Sequence, residues 1–270
     1  MIRALTGAAF VVTLTAAICF NPYAFLLFFC LVIILGMNEF YNLARIKSKG
    51  DKWIGILGGV YLFTATFLYA GPLEEELIFL PYILFLMYLL ISELYKKEAD
   101  PIRNCGFHIL GQIYCAGSLS LLNFIAFLPD EFGEVNYSWV FLMAIFIFVW
   151  LNDTGAYLIG TAFGKHRLFE RISPLKSWEG FFGGWLVVLI FSLFCAWYTG
   201  IEWYIWVGFA STVVIFGTLG DLSESLLKRT FGAKDSGKFF PGHGGILDRF
   251  DSVILATPAA YIFIELFIRN

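Results

Sequence analysis

The chain of 270 residues is 59% apolar and only 14% charged, with a mean hydropathy of +0.78. A soluble domain carries about 25% charged residues, so this apolar excess must face lipid, and a soluble enzyme with a single anchor is excluded. The net charge of −3 decides little by itself; its distribution along the chain decides more.

A membrane-spanning helix needs about 20 apolar residues. Taken in chain order, the apolar runs predict nine helices, over 4–20, 24–43, 53–71, 77–95, 105–129, 138–160, 179–199, 202–220 and 249–267. The expected fold class is therefore all-α, a polytopic membrane helix bundle of about nine transmembrane helices. It is read as a single integral membrane domain over 1–270, with no internal repeat. Residues 1–137 hold no recognisable motif, and residues 138–270 hold the polar motifs. The first helix is expected to be retained and not cleaved as a signal peptide, because Ile18 stands where a lipoprotein-type cleavage site wants a small residue and a second apolar run follows at once. The five cysteines (Cys19, Cys30, Cys105, Cys115, Cys195) lie in or beside apolar runs without CxxC or Cys/His spacing, which indicates neither a disulfide framework nor a zinc site.

Connections after the odd-numbered helices are acidic or uncharged, with Glu74, Glu75, Glu76, Asp130, Glu131, Glu134 and Glu202. Connections after the even-numbered helices hold the positive charge, and with Arg3 they account for every one of the 18 Lys and Arg residues except Arg269. The positive-inside rule then predicts a cytoplasmic amino terminus and even-numbered loops, with the carboxyl terminus outside. The expected location is the plasma (cell inner) membrane. Such a basic face attracts anionic head groups and anionic solutes. Nucleic acid is a poor candidate partner, because the basic residues lie in short loops against the bilayer.

Ionisable groups inside a span cost about 2.5–3.5 kcal/mol each on a translocon scale and are functional candidates by default. Asn152-Asp153 lies within the sixth apolar run, and Asp153 is expected to face a wet cavity open to the cytoplasm; the bland alternative is a packing ion pair. The following Gly160-Thr161-Ala162-Phe163-Gly164-Lys165-His166 is not a nucleotide-binding P-loop. It has three residues between its glycines and His after the Lys, where four residues and Ser or Thr are required. The Gly160/Gly164 and Gly180/Gly184 spacings fit close helix packing and permit a homodimer. Ahead of the seventh helix, Ser177 is placed to cap it, Glu179 to sit in its first turn, and Lys176 to hold a phosphate beside its amino terminus.

The densest signal lies between the last two apolar runs, over Asp221–Asp251. Asp221, Glu224, Asp248 and Asp251 lie near the ends of two helices, interleaved with Lys228, Arg229, Lys234, Lys238, His243 and Arg249. Asp248 and Asp251, three apart, share a face if helical. Clustered carboxylates near lipid repel unless a cation sits among them, and hard oxygen donors select Mg²⁺, Mn²⁺ or Ca²⁺ over zinc. The basic residues would answer phosphates, and Gly242, Gly244 and Gly245 leave room for backbone N–H groups to approach an anion.

Residues 225–251 run Ser, one residue, an aliphatic, Lys-Arg, four residues, Lys-Asp, and onward to Pro-x-His-Gly-Gly-x-x-Asp-Arg-x-Asp. They resemble the signature of the phosphatidate cytidylyltransferases, also called CDP-diglyceride synthetases. The segment 153–180, from Asp-x-x-Ala-Tyr through Phe-Gly-Lys to Ser-Pro-x-Lys-x-Trp-Glu-Gly, is similar to the same family. Leu175 stands where a second Lys is common and Ser177 where Thr is common.

The resemblance implies transfer of CMP from CTP to phosphatidate with Mg²⁺, the number of ions being open, and CTP, phosphatidate and membrane lipid as partners. On this reading Asp221, just ahead of the matched segment, and Asp248 and Asp251 within it are assigned to the metal. Lys228, Arg229, Lys234, Lys238, His243 and Arg249, with the backbone of Gly244 and Gly245, are assigned to the phosphates of CTP and pyrophosphate. Asp153, Ser173 and Lys176 are assigned to the lipid head group. The competing class is a transporter of an anionic solute, with Asp153 and helices broken near Gly160 and Gly245 marking its path. The clustering of polar residues at one membrane face and the lack of an inverted repeat count against it.

Overall fold

The computed structural model describes residues 2–46, 48–73, 75–96, 100–129, 133–237, 239 and 244–269, with side chains from Thr6 onward. In chain order the helices are α1 (Ile2–Phe20), α2 (Pro22–Leu43), α3 (Lys49–Ala70), α4 (Leu80–Ser92), α5 (Pro101–Gly111), α6 (Ser118–Ala126), α7 (Val140–Phe163), α8 (Trp178–Thr199), α9 (Trp203–Thr230) and α10 (Leu247–Phe267). Short 3-10 turns extend α4 on both sides, and a π-helical segment, Gln112–Gly117, joins α5 to α6. Each of the nine predicted runs is therefore helical over most of its length, the run 105–129 ending in a short strand at Phe127–Pro129. Among the described residues, eight stretches are long and apolar enough to cross a membrane, and α1 adds a shorter apolar stretch, Thr6–Phe20. The fold is an all-α polytopic membrane helix bundle.

Two departures from the sequence reading concern the polar segments. First, α9 continues to Thr230, ten residues past the predicted end at 220. Hydropathy stops at Gly220, but helix formation does not. Ser225 Oγ donates to Asp221 Oδ1 at 3.3 Å, Lys228 pairs with Glu224 one turn earlier, and Lys228 and Arg229 suit the negative end of the helix dipole. Second, two small antiparallel hairpins occur, β1 (Phe127–Pro129) with β2 (Val135–Tyr137) and β3 (Arg167–Phe169) with β4 (Ser173–Ser177). Strands of three to five residues are too short to leave a readable alternation in the sequence.

The chain divides into two compact units. The first comprises residues 1–139 and 235–249, so part of the segment between the last two apolar runs packs with the amino-terminal helices. Its core packs Phe25 against Phe29 and Phe63 in tilted ring contacts, with centroids 4.9 and 5.8 Å apart. Buried amides knit its helices together. Gln112 Nε2 donates to the Gly55 carbonyl at 2.6 Å, and Asn123 Nδ2 donates to Thr66 Oγ1 at 2.7 Å and to the Phe63 carbonyl at 3.0 Å. With no water in the bilayer core, such groups must find partners inside the protein.

The second unit comprises residues 140–234 and 250–270. Its central contact is α7 against α8, and glycines permit it. A methyl group on Gly155 would come within 2.9 Å of Gly184 Cα, and one on Gly180 within 2.8 Å of the Ala156 carbonyl. Gly160 meets Gly180, as the glycine spacing implied. Gly164, just beyond α7, packs instead on Ser177. The aromatic layer of Phe141 stacked on Trp206, centroids 4.8 Å apart, ties α7 to α9.

Candidate active site

The second unit builds a cavity of mixed polar and apolar lining from α7, the β3–β4 hairpin, α8 and α9. Ser177 has extended backbone and accepts from Gly180 N at 3.2 Å, capping α8 as its position predicted. Glu179, in the first turn, accepts from the backbone N–H of Lys165 at 3.1 Å and from that of His166, and its Oε1 pairs with His166 Nδ1 at 2.6 Å. These bonds fasten the start of the β3–β4 hairpin to α8. The hairpin then delivers Arg167 and Lys176 beside α7, where Asn152 and Asp153 stand. The resulting cavity of about 450 Å³ is lined by those four side chains with Ser177 and Thr218, and by apolar groups including Tyr157, Leu168, Leu175 and Phe181. Asp153 is exposed to this space, whereas its neighbour Asn152 is buried. Ser173 sits at the turn end of the hairpin, opposite Phe169.

Beside the cavity, Lys176 Nζ forms an ion pair with Asp221 Oδ2, and both side chains are about one quarter exposed. The contact joins the segment before α8 to the polar continuation of α9. Asp251 on α10 is within electrostatic range of Asp221, Asp153 and Lys228. The second unit thus gathers three carboxylates and two ammonium groups. Lys228 is held by Glu224, which is fully buried.

In the first unit, Asp248 faces inward onto its own loop. Its carboxylate accepts from Ser236 N at 3.0 and 3.1 Å and from Gly245 N at 2.7 Å. Gly244 adopts φ +80°, and a side chain there would collide with Asp248. The neighbouring donors serve a residue that the sequence reading passed over. Glu39 of α2, 8% exposed, accepts from Ser236 Oγ at 2.9 Å and from Ile246 N and Leu247 N, each at 3.0 Å. A carboxylate inside the second apolar run was the available signal, by the same cost that singled out Asp153. The glycine-rich backbone offered to an external anion by sequence therefore binds two of the chain's own carboxylates at Gly245–Leu247.

Arg229, Lys234 and Arg249 are exposed, and Arg229 Nη1 lies 3.4 Å from the Ala233 carbonyl. Lys238 and His243 lie outside the described residues, as do Lys47, Glu74, Lys97, Asp130 and Glu131 and the side chain of Arg3. Among the described residues no three His, Cys, Asp or Glu side chains converge as a closed metal cage. Mg²⁺ is usually bound through one or two carboxylates, with phosphate and water oxygens completing its shell. Asp221 and Asp251 supply only hard oxygen donors, and the Lys176 ammonium on Asp221 shows that this carboxylate attracts positive charge. The residues fit a divalent cation that arrives with a polyphosphate.

Comparison with known proteins identifies the family of the chain. Residues 1–267 match the model of the cytidylyltransferase family. The chain is 31% identical over 267 residues to phosphatidate cytidylyltransferase of Staphylococcus aureus strain COL, covering 97% of this chain and 98% of that protein. It is 41% identical over 162 residues to the enzyme of the same name from Staphylococcus epidermidis, covering 58% of this chain and 61% of the relative. The corresponding Staphylococcus haemolyticus protein is 40% identical over the same length. The match extends through the amino-terminal half, where no motif was legible, and it favours a transferase over the transporter reading. The chain belongs to the cytidylyltransferase family.

Proposed function

We propose that this protein transfers CMP from CTP to phosphatidate, yielding CDP-diacylglycerol and pyrophosphate. An oxygen of the lipid phosphate forms a bond to the α-phosphorus of CTP, and the bond from that phosphorus to the bridging oxygen breaks. The electron pair leaves on pyrophosphate. A phosphate monoester with a second pKa of about 6 is largely dianionic at pH 7, so the nucleophile needs no general base. The barrier is repulsion between two polyanions, which fixed positive charge lowers.

The observation that carries this reading is the Lys176–Asp221 ion pair beside the cavity. It joins, within one compact unit, the 153–180 segment that resembles the family to the stretch of α9 just ahead of the second such segment. Lys176 and Arg167 offer charge-assisted donors to phosphate oxygens at the cavity wall. Tyr157, Leu168, Leu175 and Phe181 give the same cavity an apolar side suited to the glycerol and first methylenes of a lipid. Asp153 excludes apolar occupants from the inner wall and orients the two cationic side chains by its charge. Lys228, Arg229, Lys234, Lys238, His243 and Arg249, with the backbone of Gly244, are assigned to CTP and pyrophosphate, and Ser173 to the lipid head group, on the strength of the sequence pattern, whereas the Gly245 N–H is already taken by Asp248. Asp221 and Asp251 would hold Mg²⁺, and Asp248 is assigned to the metal on the strength of the sequence pattern. When bound, the cation neutralises phosphate charge and polarises the α-phosphoryl group. The asymmetric distribution of Lys and Arg supports a cytoplasmic site and amino terminus, the side on which CTP is found.

The test is turnover by the purified protein in detergent, with labelled CTP, phosphatidate and Mg²⁺. CDP-diacylglycerol formation that is lost in Asp221→Asn supports the reading. A folded protein that binds CTP but leaves phosphatidate unreacted would redirect it to another lipid acceptor. Failure to bind CTP would overturn it.

A further inference from the structure

We infer that Glu39, in the half of the chain without a recognisable motif, is a positioning residue that fixes Asp248 and the first turn of α10. Three donors converge on its buried carboxylate: the Ser236 hydroxyl and the backbone N–H groups of Ile246 and Leu247. The two N–H groups stand at the start of α10, where no intrahelical acceptor exists. Ile246 has no side-chain acceptor to cap them. The cap comes instead from α2, more than 200 positions earlier, and a negative group there also matches the positive end of the helix dipole.

The same strip of backbone is gripped from its other side by Asp248. Ser236 gives its hydroxyl to Glu39 and its N–H to Asp248, and Gly245 gives its N–H to Asp248 while the next residue gives its own to Glu39. Glu39 and Asp248 are therefore coupled through two shared points, and a shift of one carboxylate is transmitted to the other. The loop is shaped for this arrangement, since a side chain on Gly237 or Gly245 would run into the Glu39 carboxylate. A carboxylate is specifically suited to the site because it presents only acceptors, whereas an amide would turn an N–H₂ group toward one of three donors. A helix cap alone requires no charge buried in an apolar helix, so the costly residue fits a demand for fixed geometry.

The inference rests on the assignment of Asp248 to the reacting centre, and Asp248→Asn measured alongside tests that assignment separately. In the full-length protein in detergent, Glu39→Gln is expected to lower kcat by about tenfold or more, the scale of losing a partner that orients a ligand residue. KM for phosphatidate should stay within about twofold, since the cavity of the second unit is untouched. Hydrogen exchange should accelerate at the Ile246 and Leu247 amides and remain unchanged in the α7 core. Accelerated exchange there with wild-type kcat would overturn the inference, and so would acceleration throughout the helices, which marks general destabilisation. If Glu39→Gln does not yield folded protein, Ser236→Ala removes one donor from the same carboxylate. A reduced kcat at unchanged phosphatidate KM then supports the inference, and wild-type kcat overturns it. If Asp248→Asn is fully active while Glu39→Gln is impaired, the assignment of Asp248 fails and the inference falls with it.

Discussion

Lys176 and Asp221, 45 positions apart in sequence, form an ion pair at the edge of the cavity in the second unit. Each comes from a polar segment that the sequence singles out, but their pairing is not visible there. Together they place a cation on a carboxylate that lies within electrostatic range of Asp251. The pair is partly exposed, so its value lies in positioning charge more than in holding the fold.

Replacing Lys176 by Met should consequently separate activity from stability. Removing one preorganised charge from a phosphoryl-transfer site costs about a hundredfold in kcat, while an ion pair of this exposure changes stability by about 1 kcal/mol or less. Turnover and thermal unfolding of the same preparation check both halves. A parallel loss in Tm and activity would assign Lys176 to structure.

Divalent metal should be required for turnover. EDTA is expected to abolish product formation and added Mg²⁺ to restore it. Asp221→Asn and Asp251→Asn should each raise the Mg²⁺ concentration for half-maximal activity or eliminate activity, because a single remaining carboxylate is a poor anchor for a dication. Full activity in EDTA would remove the metal from the proposal.

At the α7–α8 contact, Gly184→Ala should destabilise without altering the chemistry directly. The added methyl would meet the Asn152 carbonyl at 2.5 Å and its side-chain oxygen at 2.6 Å. Overpacking of this kind costs about 1–3 kcal/mol, read as a lower unfolding temperature in detergent. Gly200→Ala, with nothing within 4 Å but φ +72°, tests the converse case of backbone strain without collision.

Accessibility labelling of single cysteines in sealed vesicles checks the orientation drawn from the basic residues. Ala233→Cys should react only from the cytoplasmic side, and Glu202→Cys only from the opposite side. The reverse pattern would place the cavity on the face without cytosolic CTP and would count against the proposed function.

Membrane class, the positions of the apolar helices and the two polar segments are legible in the sequence because lipid imposes a one-dimensional rule. A span must be apolar over a fixed length, and every exception is conspicuous. Ser177 and Glu179 could be placed for a similar reason, since capping depends on positions within one turn of the helix end. Hydropathy does not mark where a helix stops once it leaves the apolar layer, so Asp221 and Lys228 read as loop residues although α9 carries them. Nor does it show which backbone donors a glycine-rich segment spends on its own chain.

By itself, then, the sequence determined a polytopic helical membrane protein with carboxylates and cations in its carboxyl-terminal half, because solvent matching and local helix chemistry act over a few residues at a time. Only the tertiary structure decided that Lys176 meets Asp221 and that Glu39 meets Ser236, Ile246 and Leu247. Those contacts join residues far apart in the chain. Their partners are selected by close packing and by the need to pair every buried charge and N–H group, conditions that are met only when distant helices are in place.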